Sequence, residues 1–536
     1  MKKIPLPALL LFLAAPSLLA QHPHRPNWQN LDLQHDTVFG ISTERAYREL
    51  LANKHATTVI VAVIDGGVDT THEDLQPILW TNPGEVPGNG LDDDHNGYVD
   101  DIHGWNFIGG AHGNVLYDSK EFVRIVHRDS ARFASYTTTT IPAAEKKAFA
   151  IYQAAFHSYD SMLVDTRNWY HSDTIWLKYF DSLARSSGKD SLNIADFQAL
   201  TPTDSIEKKA DEWAIKRLQH IPGFGKLIKA QQGLIELDQR LLSIDVNENF
   251  DPRRTIIGDD YDNDHQRDYG ISDVTGPDPL HGTHVSGIIG AVRGNGIGID
   301  GVADHVRIMC VRAIPQGDER DKDVGNAIRY AAANGAKVIN ISFGKHFSWH
   351  KQAVDEAVKY AMQKDVLIVA AAGNDGQYVD APAHTLLPNK WYADSSGDAS
   401  AGTNGVAAAW ITVGASDQFD DSTLVASFSN YGKPFVDVFA PGVQLYSCLP
   451  ASTYGYESGT SMAAPVVTGL AALIREYYPK LTAIQVKDII MRSVVKPTHT
   501  VNVQDGKTTK KVLLSDICTS GGIVNAYNAL KLAATY

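Results

Sequence analysis

The sequence predicts an open, doubly wound, mostly parallel α/β sheet with helices on both faces, plus an α-helical insertion. Three observations predict it. Short runs rich in Val, Ile and Ala are continuously apolar rather than alternating, as expected of strands covered on both faces. These runs alternate with longer segments of helical period. One long stretch, residues 111–249, departs from this alternation, with few β-rich runs and much helix-period sequence.

In chain order, residues 1–20 read as a secretory signal: a basic Met1-Lys2-Lys3 start, then an apolar run interrupted by prolines and ending at Ala20. Residues 21–110 hold an N-terminal segment and the first part of the α/β domain, including a strand over 58–64. Residues 111–249 are the insertion, with helices predicted over 142–163 and 206–218 and loops at Thr137–Thr140 and Ser186-Ser187-Gly188. The remainder, 250–536, carries strands over 306–314, 337–342, 366–371, 411–415 and 435–439. Helices are expected there over 321–334, 351–363, 461–477 and 484–494.

A length of 536 residues suits one large α/β domain with an insertion, and 43% hydrophobic residues suffice for a sizeable core. A formal net charge of −14, with no Lys/Arg stripe, argues against nucleic acid as a partner. Beyond the leader no stretch is apolar enough to span a bilayer, so an exported chain, periplasmic or secreted, is expected. Oligomeric state is not legible. Three cysteines cannot all pair within one chain. Cys310 falls in a strand pattern as a small hydrophobe, and an oxidising compartment would allow a bridge between Cys448 and Cys518, which spacing does not decide.

Three segments carry the chemistry. They are Val63-Ile64-Asp65-Gly66-Gly67-Val68-Asp69, His281-Gly282-Thr283-His284-Val285-Ser286-Gly287 and Gly459-Thr460-Ser461-Met462-Ala463-Ala464-Pro465. Each sets an acid, a base or a hydroxyl in a small-residue turn beside a strand or helix. Their order, Asp then His then Ser, is one of three unrelated orders in which a nucleophilic serine is assembled with its imidazole base and orienting carboxylate. The segments resemble the subtilisin-like serine peptidases over roughly 42–110 and 256–531.

The resemblance implies Ser461 as nucleophile, His281 as general base and Asp65 as the carboxylate that orients it. Asn374, in Ala370-Ala371-Ala372-Gly373-Asn374, matches the donor to the oxyanion. Ser342, Phe343 and Gly344, with Ala372 and Gly373, match the edges that bind an extended polypeptide substrate. His284 and Asp69 are expected to be structural, and Pro465 to lie in the opening turn of its helix. The implied activity is serine endopeptidase. An inactive scaffold and an acyl-transferring ligase are the rivals. The stretch between leader and first strand is too short for the inhibitory chaperone domain that precedes many subtilases.

Calcium is the one cofactor expected, in a structural role, and no organic cofactor is implied. The run Asp92-Asp93-Asp94-His95-Asn96-Gly97-Tyr98 places oxygen ligands at alternate positions before a turn glycine, as a calcium loop does, and Asp100 or Asp101 would close it. A second site is implied by resemblance: Asp74 and Asn295, with the carbonyls of Ile297 and Ile299. The acidic run 259–264 reads as a solvated loop.

Overall fold

A computed structural model describes residues 24–189, 191–221, 223–379, 386–393, 405–506 and 508–536. The predicted leader lies outside the described residues. The described residues divide into two compact units, one formed by Asp118–Asp251 and the other by residues 24–117 together with Pro252–Tyr536.

The larger unit is built on a seven-stranded sheet. Its strands are β1 (Val59–Asp65), β2 (Gly104–Asn106), β3 (Val306–Arg312), β4 (Val338–Ile341), β5 (Leu367–Ala371), β6 (Trp410–Ser416) and β7 (Val438–Pro441). They lie in the order β2-β3-β1-β4-β5-β6-β7, and every pairing is parallel. The apolar runs are continuous because both faces are covered. Val59, Val61 and Val63 of β1 enter one core, and Ala62 and Ile64 enter the other.

Between Asp118 and Asp251 the smaller unit carries four helices of thirteen residues or more among the described residues. They are α1 (Glu121–Phe133), α2 (Lys146–Ser187), α3 (Ser205–Leu218) and α4 (Phe224–Arg240). The larger unit contributes α5 (Leu280–Gly290), α6 (Asp321–Ala333), α7 (Lys351–Gln363), α8 (Thr460–Tyr477) and α9 (Ala483–Arg492). Residues of α5 and α8 fill the first core, which also takes Val486, Ile489 and Ile490 of α9. Val324, Ala327 and Ile328 of α6, with Val354 and Val358 of α7, fill the second. A hairpin of β8 (Leu445–Leu449) and β9 (Thr453–Glu457) precedes α8.

Within the smaller unit, α2 is 42 residues long and stops where Gly188 takes a left-handed conformation (φ 62°). Ser186 and Ser187 are therefore the last helical residues rather than a loop, because the αL position comes one residue later. Phe180 sits edge-on to Phe197 and stacks on Trp213 in the core of this unit. The Lys120 N–H donates to the Asp245 carbonyl (2.9 Å), which holds the two ends of the unit together.

The structure corrects several further expectations. The strand expected over 435–439 begins at Val438. Cys310, Cys448 and Cys518 are all free and buried, so Cys448 and Cys518 do not form a bridge. Burial pushes the Cys310 thiol up to about 12. Asp259 is not solvated: its buried carboxylate meets Arg253 Nε and Lys322 Nζ at 2.6 Å each. Two cations in one low-dielectric pocket hold that carboxyl ionised against the cost of burial. No helix among the described residues is long and apolar enough to cross a membrane.

Candidate active site

In an open parallel sheet, the carboxyl ends of the strands leave room for a site. Asp65 is the last residue of β1, Ser342 follows β4, and Ala372-Gly373-Asn374 follow β5. His281 stands in the first turn of α5, and Ser461 in the first turn of α8.

Asp65 is buried, and both of its carboxylate oxygens lie 2.9 Å from His281 Nδ1. Asp65 Oδ1 also accepts from the Gly66 N–H (2.7 Å). Approach of α5 to the end of β1 depends on Gly282. A Cβ there would fall 2.2 Å from the Gly67 carbonyl oxygen and 3.1 Å from Asp65 Cβ. The missing side chain is thus what lets the imidazole reach the carboxylate.

Burial disfavours the His281 imidazolium. The Asp65 charge and hydrogen bond outweigh it, aided by the charges of Glu457 and Asp278, so the pKa is raised. The ring is 41% exposed, so solvent screens part of this effect. Glu457, the last residue of β9, has its own pKa raised by burial, which the imidazole partly offsets. No local sequence pattern marks Glu457, an acid at the end of a hairpin, as a neighbour of His281.

The Ser461 hydroxyl donates to the Ser342 carbonyl oxygen (2.9 Å). The Ser342 hydroxyl returns a bond to the Ser461 carbonyl (2.9 Å). Pro465 explains the second bond. It lies inside α8, one turn beyond Ser461, rather than in the opening turn as expected. Having no N–H, it leaves the Ser461 carbonyl without its i→i−4 donor, and Ser342 supplies one. Asn340 Nδ2 donates to Ser342 Oγ (2.9 Å), while Asn340 Oδ1 accepts from Thr468 Oγ1 of α8 (2.8 Å). Helix α8 is therefore hydrogen-bonded both to β4, through Asn340, and to Ser342 just after it.

Asn374 is oriented by Thr460, whose N–H and hydroxyl both donate to Asn374 Oδ1 (2.8 and 2.9 Å). That fixes the amide with its NH₂ turned towards Gly459, where a Cβ would lie 3.5 Å from Nδ2. Gly373 is left-handed (φ 98°), and a Cβ there would meet Asn430 Nδ2 and Leu386 Cδ1 at 2.5 Å each. Ala372 is fully buried and gives its carbonyl to Asn430 Nδ2 (3.1 Å); Gly373 beside it is buried too, its N–H donating to Thr460 Oγ1 (3.1 Å) and its carbonyl accepting from the Asn430 N–H (2.9 Å). Phe343 is half-buried, and Gly344 packs against Leu386, 3.2 Å from a would-be Cβ to Leu386 Cβ.

His284 is buried. Its Nε2 faces the carbonyls of Leu445 (3.1 Å) and Gly455 (3.3 Å), which ties α5 to the hairpin. Burial, then the charge of His281, drives its pKa down to about 3, so it stays neutral. Asp69 accepts from the Thr71 N–H and hydroxyl and from the Ala451 N–H, as a turn-fixing residue does.

Two groups of oxygen atoms suit calcium. Asp74 is buried, and its Oδ1 accepts from Asn295 Nδ2 (2.6 Å) while Oδ2 has no donor. Ile297 is exposed, Ile299 is buried, and the Ile297 N–H donates to Asn295 Oδ1 (3.0 Å). In the acidic loop, ligand atoms of Asp92, Asp94 and Glu85 lie within 4.8 Å of one another. Glu85 is buried, and its Oε2 has no hydrogen-bond donor. The Asn96 N–H donates to Asp92 and Asp94 (3.0 Å each), and the Tyr98 N–H to Asn96 Oδ1 (2.8 Å). Asp101 is fully buried and accepts from Asn82 Nδ2 (2.6 Å), Asn96 Nδ2 (3.1 Å) and Tyr330 Oη (2.5 Å). Burial nonetheless raises its pKa to about 6. Glu85 was missed because it precedes the loop by seven residues and belongs to no ligand spacing.

Comparison with known proteins agrees with this architecture. Residues 56–513 match the subtilase family of S8 peptidases. The chain is 43% identical over 195 residues to a thermophilic serine proteinase of Bacillus sp. (strain AK1), covering 36% of this chain and 42% of that protein. It is 40% identical over 195 residues to thermitase of Thermoactinomyces vulgaris, covering 36% of this chain and 60% of thermitase. Subtilisin DY of Bacillus licheniformis is 37% identical over 209 residues, 39% of this chain and 68% of the relative. The matched region thus spans about half the length of the first two relatives. With the family match extending over most of the sequence, this chain belongs to the subtilase family.

Proposed function

We propose that the chain is an exported serine endopeptidase that hydrolyses polypeptides through a Ser461 acyl-enzyme. The observation that carries this reading is the Asp65–His281 pair, with both carboxylate oxygens at 2.9 Å from Nδ1 and His281 on a helix that shares its core with α8, whose first turn holds Ser461. Asp65 accepts the Nδ1–H and so leaves Nε2 free as the base. Ser461 Oγ leaves its bond to the Ser342 carbonyl, gives its proton to His281 Nε2 and attacks the peptide carbonyl carbon. The resulting oxyanion accepts from Asn374 Nδ2 and the Ser461 N–H at the positive end of α8. The tetrahedral species expels the amine, which takes the proton from His281. Water then adds to the acyl-enzyme, gives its proton to the same nitrogen, and releases the carboxylic acid with Ser461 restored. Ser342, Phe343 and Gly344, with Ala372 and Gly373, would flank an extended substrate, and backbone pairing there gives affinity with little sequence demand.

Calcium is proposed as a structural ion. Asp74, Asn295 and the carbonyls of Ile297 and Ile299 would hold one, and Asp92 and Asp94, joined by Glu85, another. The donorless buried oxygens Asp74 Oδ2 and Glu85 Oε2 support both, since an ionised oxygen buried without a partner is costly. Asn96, Tyr98 and Asp101 shape the second loop. The basic-then-apolar start of the sequence supports export to the periplasm or medium.

The test is labelling by a serine-directed phosphonate. Ser461 should be modified in the wild type, and a folded Ser461→Ala variant should neither label nor cleave peptides. Turnover retained by that variant would refute the assignment.

A further inference from the structure

We propose that Asp304, His305 and Glu476 form a binding site for one divalent transition-metal ion at the end of the sheet remote from Ser461. Three chain segments meet there. Asp304 and His305 immediately precede β3, Glu476 is the penultimate residue of α8, and Thr57 leads into β1. The site lies about 22 Å from Ser461 along α8, fifteen residues at roughly 1.5 Å each.

One carboxylate, one imidazole and a second carboxylate present ligand atoms all within 4.8 Å of one another. His305 Nδ1 already lies 3.0 Å from Asp304 Oδ1. Around a tetrahedral ion with bonds of about 2.0–2.2 Å, ligand atoms are roughly 3.3 Å apart, so little movement is needed.

Glu476 gives the independent reason for a ligand. Its side chain is fully buried. Oε1 accepts from the His305 N–H (3.1 Å), but Oε2 has no donor. The Glu476 carboxyl group faces the Asp304 carboxylate near the negative end of an 18-residue helix. Two carboxylates and a helix C-terminus therefore converge with one imidazole. A dication neutralises this arrangement, whereas a lone buried carboxylate is costly.

The surroundings fit a ligand shell. Tyr477 Oη donates to Asp304 Oδ2 (3.1 Å), which orients that carboxylate. The Glu476 carbonyl accepts from both the N–H (2.9 Å) and hydroxyl (3.0 Å) of Thr57. The Val59 N–H donates to the His305 carbonyl (3.0 Å). An ion here would clamp the starts of β1 and β3 to the end of the nucleophile helix. The imidazole donor selects zinc or a similar ion over calcium, which takes oxygen ligands. His305 is half exposed, so ions can enter and water can complete the shell.

The experiment uses the full chain carrying Ser461→Ala to stop self-cleavage, stripped of metal and kept in excess calcium. Zinc is titrated by calorimetry, and cobalt(II) by visible absorption. The expected result is one zinc per chain that raises the melting temperature, and a cobalt spectrum of four-coordinate type. His305→Ala, a half-exposed change that leaves the core intact, should abolish that zinc, as should Glu476→Gln. Tyr477→Phe should weaken it by about 10- to 100-fold, as loss of an outer partner does. If the parent binds no zinc, or if His305→Ala binds it as the parent does, the proposal is overturned. No zinc together with a Glu476→Gln variant melting at or above the parent would mean that the two carboxylates share a proton instead.

Discussion

Replacing Gly282 by alanine separates two opposed effects of one methyl group. Glycine within a helix is about 1 kcal/mol less favourable than alanine, so propensity alone predicts stabilisation. At this position, however, the new Cβ would lie 2.2 Å from the Gly67 carbonyl oxygen and 3.1 Å from Asp65 Cβ. An ordinary contact needs roughly 3.2 Å or more, so α5 and the end of β1 must separate by about 1 Å, an overpacking change that costs about 1–3 kcal/mol. The net expectation is destabilisation. The same separation draws His281 away from Asp65, and a misplacement of about 1 Å can cost about 10²-fold in rate. Gly233→Ala in α4 is the internal control, since nothing lies within 4 Å of its would-be Cβ. It should stabilise by roughly 0.5–1 kcal/mol and leave the rate unchanged. Phosphonate labelling rates and chemical denaturation measure both. A Gly282→Ala variant that labels at the wild-type rate and gains stability would refute the close-approach argument.

Glu457→Gln should lower the pKa of His281, because it removes a negative charge that favours the imidazolium. The acid limb of the labelling-rate profile should move to lower pH; no movement would dissociate Glu457 from the base. Burial, then the charge of Asp173, raises Asp238 in the helical unit to about 7. Since this folded value exceeds the ordinary carboxyl value of about 3.9, the folded state holds the proton longer, and stability falls as pH rises from about 4 to about 7, then levels off. Hydrogen exchange over 146–187 and 224–240 should therefore speed relative to the intrinsic rate across that range, and Asp238→Asn should flatten the trend. Calcium at about 100 times its Kd should add about 2.7 kcal/mol per site. Thermal melting with calcium and with chelator should show the gain, and Asp74→Asn and Glu85→Gln should each remove part of it.

Much of the larger unit was legible because its signals are local. Continuous apolar runs need cover on both faces, and β1, β3, β4 and β5 start and stop within two residues of the runs that predicted them. β2 was not legible, since three residues show no period and pair only because β3 offers a free edge. Pro465 was placed a turn too early for a related reason: its lost hydrogen bond is replaced by Ser342, 123 positions upstream in the numbering, which no helix rule anticipates. An acidic run such as 259–264 is usually solvated, yet Arg253 and Lys322 close around Asp259.

By itself the sequence determined the α/β class, the order of the Asp, His and Ser segments and the oxyanion candidate, because these depend on period and on short contiguous motifs. Tertiary structure alone decided which distant charges meet. Glu457 comes beside His281 through a hairpin, Glu85 joins Asp92 and Asp94 through a turn, and Asp304 faces Glu476 because a strand start and a helix end converge. The physical reason is range: strand and helix preferences act over a few residues, whereas the electrostatics of a site act through space between residues that the chain alone leaves unrelated.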